Sequence, residues 1–147
     1  VLDNGFALTL TGTLWVQGNI NISNNSTVSL NAGYGADSGI VVSDGTVTLS
    51  NGALFSGSGQ DDSFILLLTT SNSTSAIEVA NNAGAVILNA QKGTIHFSNN
   101  AGAQEATAET LSMDNSATII YDTGLASVNF VSGPSGGWNI AGWREIP

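Results

Sequence analysis

Asn19-Ile20-Asn21-Ile22-Ser23-Asn24-Asn25-Ser26 returns as Thr46-Val47-Thr48-Leu49-Ser50-Asn51-Gly52-Ala53, and again as Thr94-Ile95-His96-Phe97-Ser98-Asn99-Asn100-Ala101. Weaker copies run from Ala76 to Ala83 and from Thr110 to Ala117. In every copy two apolar side chains flank a single other residue, so an extended backbone sends the apolar pair to one face. Two positions later comes an Asn. Asparagine tolerates the left-handed backbone and bonds its own chain locally, which suits a sharp corner. Asn24, Asn51, Asn81, Asn99 and Asn115 are therefore the expected corner residues. They stand 27, 30, 18 and 16 residues apart.

Self-similarity at such a period points to a β-solenoid. One turn of short strands cannot bury its inward side chains alone. A second turn stacked about 4.8 Å above covers them and pairs the backbone. Asparagines stacked in register can then form an amide ladder. Further apolar-rich segments follow the phrases at Thr27 to Leu30, Ala53 to Phe55, Ala85 to Leu88 and Thr118 to Tyr121. The expectation is an all-β chain forming a short right-handed parallel β-helix, or solenoid, of about 4–6 irregular rungs. The solenoid is expected over residues 1–130. Residues 131–147, rich in Gly and Trp, are expected to cap the last rungs in the same domain, with Trp138 and Trp143 as the covering side chains. A β-sandwich is the alternative, since short strands between turns fit it too. It gives no reason for corners to repeat. The one helix candidate, Ala103 to Leu111, lacks an apolar stripe.

Composition narrows the function. Charged residues make up 9% of the 147 positions, against roughly 25% in an average domain, so Asn, Ser, Thr and Gly must cover the surface. The net charge is −9, with Lys92 and Arg144 the only Lys or Arg. Such a chain repels phosphate backbones, and nucleic-acid binding is not expected. There is no cysteine, hence no disulfide framework and no thiolate metal site. Phe64 to Leu68 is the longest apolar run, too short for a membrane span. The chain opens Val1-Leu2-Asp3 without an initiator Met, which reads as a processed or excised segment.

Chemistry-bearing residues are sparse. A polysaccharide lyase needs a basic group to stabilise a carboxylate, and Lys92, His96 and Arg144 are the whole basic inventory. The adjacent pair Asp61-Asp62 would need a turn to converge as a glycosidase dyad. Asp37, Asp44, Asp61 and Asp62 lie near glycines and are candidate Ca²⁺ ligands, since loop oxygens suit that ion. No recognisable calcium-loop phrase accompanies them. His96 falls on the outward position between Ile95 and Phe97. Thr9-Leu10-Thr11 and Thr46-Val47-Thr48 resemble the Thr arrays of ice-binding faces, but the other turns do not continue them. Trp15, Tyr34 and Phe55 are the candidate exposed aromatics for a partner or a sugar. Trp15 alternates outward if Leu14 and Val16 point in, unless it packs under a loop such as Tyr34-Gly35.

Tyr121-Asp122, followed by Ser132-Gly133-Pro134-Ser135-Gly136-Gly137-Trp138-Asn139-Ile140-Ala141-Gly142-Trp143-Arg144-Glu145-Ile146, resembles the C-terminal ends of PilX-type pilus-assembly proteins and related bacterial surface proteins. The repeats are similar to the right-handed β-helices of adhesins and autotransporter passengers. The resemblance implies a secreted, envelope- or pilus-associated domain without catalytic residues. The expected function is thus a non-enzymatic structural or adhesion module at the cell surface. Its expected partners are other surface or pilus subunits, further copies of itself, or a carbohydrate. A self-assembling filament subunit and a carbohydrate-active enzyme or binding module are the alternatives. No cofactor beyond Ca²⁺ and no membrane insertion of this segment are expected.

Overall fold

The computed structural model describes residues 1–133. β1 (Ala7–Leu10), β2 (Leu14–Val16) and β3 (Ile20–Ile22) make one turn of the chain. β4 (Thr27–Leu30), β5 (Gly39–Ser43) and β6 (Val47–Leu49) make the next, and β7 (Leu54–Ser56), β8 (Ile65–Thr69) and β9 (Ile77–Ala80) a third. β10 (Ile87–Ser98), β11 (Gly102–Ala103), β12 (Glu105–Met113) and β13 (Thr118–Ile119) follow. Every strand pairing is parallel. β1-β4-β7 form one face, β2-β5-β8 a second and β3-β6-β9 a third. β10 spans two faces, because its first half pairs with β8 and its second half with β9. β12 then lies along β10, with a register shift between Ala90 and Thr94. A β-sandwich is built from antiparallel sheets, so that alternative does not hold. The fold is all-β, with parallel strands in a β-helix-like wrap.

The core follows from the register. Ile20, Val47, Ile77 and Ile95 stand in one inward column, and Ile22, Leu49, Val79 and Phe97 in the next. From Val47 and Leu49 upward to Ile95 and Phe97 these side chains are 0% exposed. Full burial of a side chain of this size stabilises by about 1.5–3 kcal/mol. In the four middle copies the position after the pair of corner residues is Ser26, Ala53, Ala83 or Ala101, all buried. At the two ends of the stack it is Phe6, which is exposed, and Ala117, which is half-buried.

The corners are left-handed, as the asparagines suggest. Asn24-Asn25, Asn51-Gly52, Asn81-Asn82, Asn99-Asn100 and Asn115-Ser116 each place two successive residues at positive φ. Asn4-Gly5 does the same at φ 59° and 74°. Leu2-Asp3-Asn4-Gly5 is thus a further copy of the phrase, and Leu2 bridges Ile22 from below.

One expectation is corrected. Ala103 to Leu111 is extended, in β11 and β12, not helical. Pairing with β10 overrides the helix preference of Ala and Glu, and the alternation sets Ala106 and Ala108 inward against Leu88 and Ala90. After β13 the chain leaves the last turn. A short 3₁₀ turn, Thr123–Ser127, packs Leu125 onto a small outer cluster of Phe64, Val86 and Ile87, joined by Val128. The chain then runs back along the side of the stack as a strap. Val131 N–H donates to the Ser38 carbonyl (2.9 Å), and Thr13 N–H donates to the Ser132 carbonyl (3.0 Å). Val131–Gly133, the start of the expected cap, therefore sits beside the first two turns. Trp138 and Trp143 lie outside the described residues.

Candidate functional site

Two features are built from converging side chains: the asparagine corner and the outward face carrying Trp15. The corner is stitched twice. Asn51 Nδ2 donates to Asn24 Oδ1 (3.2 Å), Asn81 to Asn51 (3.0 Å), Asn99 to Asn81 (3.0 Å) and Asn115 to Asn99 (3.2 Å). The backbone links run the other way. Asn25 N–H donates up to the Asn51 carbonyl, Gly52 to Asn81, Asn82 to Asn99 and Asn100 to Asn115, all at 2.9–3.0 Å. A second, shorter row adds Asn100 Nδ2 to Asn82 Oδ1 (3.4 Å).

At the lower end the ladder stops on a carboxylate. Asp3 Oδ1 accepts from Ser23 Oγ (2.8 Å), the Asn4 N–H (2.8 Å) and Asn24 Nδ2 (2.7 Å). These bonds, that from Ser23 foremost, hold the Asp3 carboxyl below its usual range. Sequence reading missed Asp3 and Asn4. The signal was present, since Leu2-Asp3-Asn4-Gly5 aligns with Leu49-Ser50-Asn51-Gly52.

Trp15 does point outward, as its alternation implies. It is 61% exposed and not covered by the Tyr34 loop. Its Nε1 donates to Asp44 Oδ2 (3.0 Å), and Thr70 Oγ1 donates to Asp44 Oδ1 (3.4 Å). The register sets Val42 and then Leu68 in the same outward column, followed by Asn89 and Thr107. The indole is thus held by its N–H on the outer face, next to Val42.

The other two aromatics are not surface anchors. Tyr34 is 3% exposed. Its loop turns the ring into the core, where it lies against Gly39. Burial pushes the Tyr34 phenol up, and among the described residues its hydroxyl has no partner. Phe55 is buried too, inward on β7 above Val28. Both lie where a period-two pattern meets an uneven loop, so their facing could not be read from alternation.

The four aspartates considered for Ca²⁺ do not converge. Asp37 Oδ1 accepts from Asn129 Nδ2 (2.9 Å), which ties the strap to the second turn. Asp44 holds Trp15. Asp61 and Asp62 line an open cavity of about 500 Å³ with Asp122 and Thr123. Among the described residues no three His, Asp or Glu side chains are placed to hold a metal ion. His96 faces outward and its Nε2 lies 3.0 Å from Asp114 Oδ2 of the next turn. Among the described residues no helix is long and apolar enough to cross a membrane. No family model, no curated protein and no solved structure matches the chain.

Proposed function

We propose that this chain is a non-catalytic structural and contact module of the cell surface, extracellular and associated with a pilus or an adhesin. The finer form of the fold belongs to the same reading: a right-handed solenoid, the hand that nearly all parallel crossovers adopt. The observation that carries it is the doubly stitched asparagine corner, which above Asp3 binds each turn to the next through amides alone. A stack held by backbone and amide bonds is stiff, and its surface of Asn, Ser and Thr keeps its bonds in any salt. Such properties suit exposure outside the cell. Immunogold labelling of intact, unpermeabilised cells tests the reading. Surface labelling is expected, and label found only after permeabilisation overturns it.

Trp15 favours a second, compatible reading, in which the module holds a neutral saccharide. Trp15 is 61% exposed, and Asp44 and Thr70 offer polar groups beside it. A glycan array compared with Trp15→Ala tests it: native binding lost in the variant supports the reading, and no native binding removes it.

A further inference from the structure

We propose that the upper edge of β12 is a docking site for one extended strand of a partner protein, laid parallel to Glu105–Met113. The partner strand places apolar side chains over Leu111 and Met113, basic ones beside Glu109 and Asp114, and an asparagine over Asn115. Four observations converge. First, β12 is nine residues long and pairs with β10 along one edge, while no described residue pairs with its other edge. An unpaired edge of that length is a template for strand addition. Second, Leu111 and Met113 continue the inward columns above Ile95 and Phe97. They are 47% and 41% exposed, whereas the residues one turn beneath are 0% exposed. One further strand would cover them.

Third, the amide ladder is open at this end alone. Asn24, Asn51, Asn81 and Asn99 each accept from the asparagine above, but Asn115 Oδ1 has no donor among the described residues. The opposite end is closed by Asp3. Fourth, the strand carries Glu105 and Glu109, and Asp114 follows it. A second copy stacking end to end would bring Asp3 toward these carboxylates. The chain as a whole has two Lys or Arg residues to offset them. The charge therefore selects a different, basic partner strand. This rests on the reading of the chain as an assembly module and names the surface it uses.

The test titrates isotopically labelled full-length protein with a capped nine-residue peptide. The peptide copies Gly93–Ala101, with lysine at the positions of Thr94 and His96. In parallel register those lysines stand over Thr110 and Ser112, and the second reaches Asp114 as His96 does from beneath. Amide shifts confined to residues 109–117, and weakened by salt, are expected. Asp114→Asn should weaken binding about two- to fivefold, the size of one exposed ion pair. The same peptide with aspartate at its Ile and Phe positions should leave the spectrum unchanged. Three results overturn the proposal: no shifts with the lysine peptide, shifts at β1 and β2 instead, or slow exchange of every β12 amide in the free protein, which would mean that the edge is already filled. None of them bears on surface labelling, so the two ideas fail separately.

Discussion

The asparagine corner and the corner between the first and second faces solve the same bending problem in opposite ways. At the first, every turn uses a pair of left-handed residues that begins with Asn, and the same pattern of backbone bonds joins it to its neighbours. At the second, no two turns agree. Thr11–Thr13 suffices in one, Asn31–Ser38 fills the next with a 3₁₀ turn, and Gly57–Phe64 forms a loop in the third. The uneven spacing of the asparagines comes from such insertions and from β10, which bends between two faces without a loop. A solenoid needs one corner to fix its register. The others are free to grow, provided that whatever they insert is either solvated or buried with partners.

The difference can be broken most severely through the core. Leu49→Ala beside the asparagine corner and Tyr34→Ala beside the loop corner each remove a buried side chain and should cost about 2–5 kcal/mol, read by urea unfolding. Equal losses would show that the irregular corner is packed as tightly as the regular one. Next in size is the ladder. Asn81→Ala, in its middle, loses two side-chain bonds and the residue's tolerance of positive φ, for an expected cost of about 1–2 kcal/mol. Asn81→Gly keeps the backbone freedom and should cost less. If the two variants unfold alike, conformation contributes nothing at this corner and the bonds carry all of it.

Tyr34→Phe sharpens the contrast from the other side. It removes a buried hydroxyl that has no partner among the described residues, so it should leave stability unchanged or raise it by up to about 1 kcal/mol. A clear loss would reveal a bond to that hydroxyl. The smallest effect is a pH dependence at the foot of the ladder. The Asp3 carboxyl is held lower in the folded chain than in the unfolded one. Its contribution is therefore complete above the unfolded value of about 4 and is lost as pH falls toward the folded value. The stability difference between native protein and Asp3→Asn should shrink on acidification across that window. A difference that stays constant with pH would sink the assignment.

The regular corner was legible in the sequence because it is built from local rules. Asparagine at positive φ, an apolar pair two residues before it and a small residue after it are all fixed within eight positions. The stack of Ile22, Leu49 and Phe97 follows from them. The irregular side was not legible, since Tyr34 and Phe55 face inward for reasons set by the turn above or below. Nor was the strap. Its route depends on Asn129 meeting Asp37, 92 residues away in the chain. Trp15 could be placed from alternation alone, but its fixed ring could not, because Asp44 reaches it only through the stacking of β5 on β2.

The returning strap also decides how the domain would carry a load. Leu2 is bonded beneath β3, and Ser132 is bonded to Thr13 at the same pole of the stack. Tension between these two points would run across the lowest layer and its seam, bypassing the column above. The seam at Ser38 and Thr13 would open first, like a zip, while the upper turns stayed relaxed.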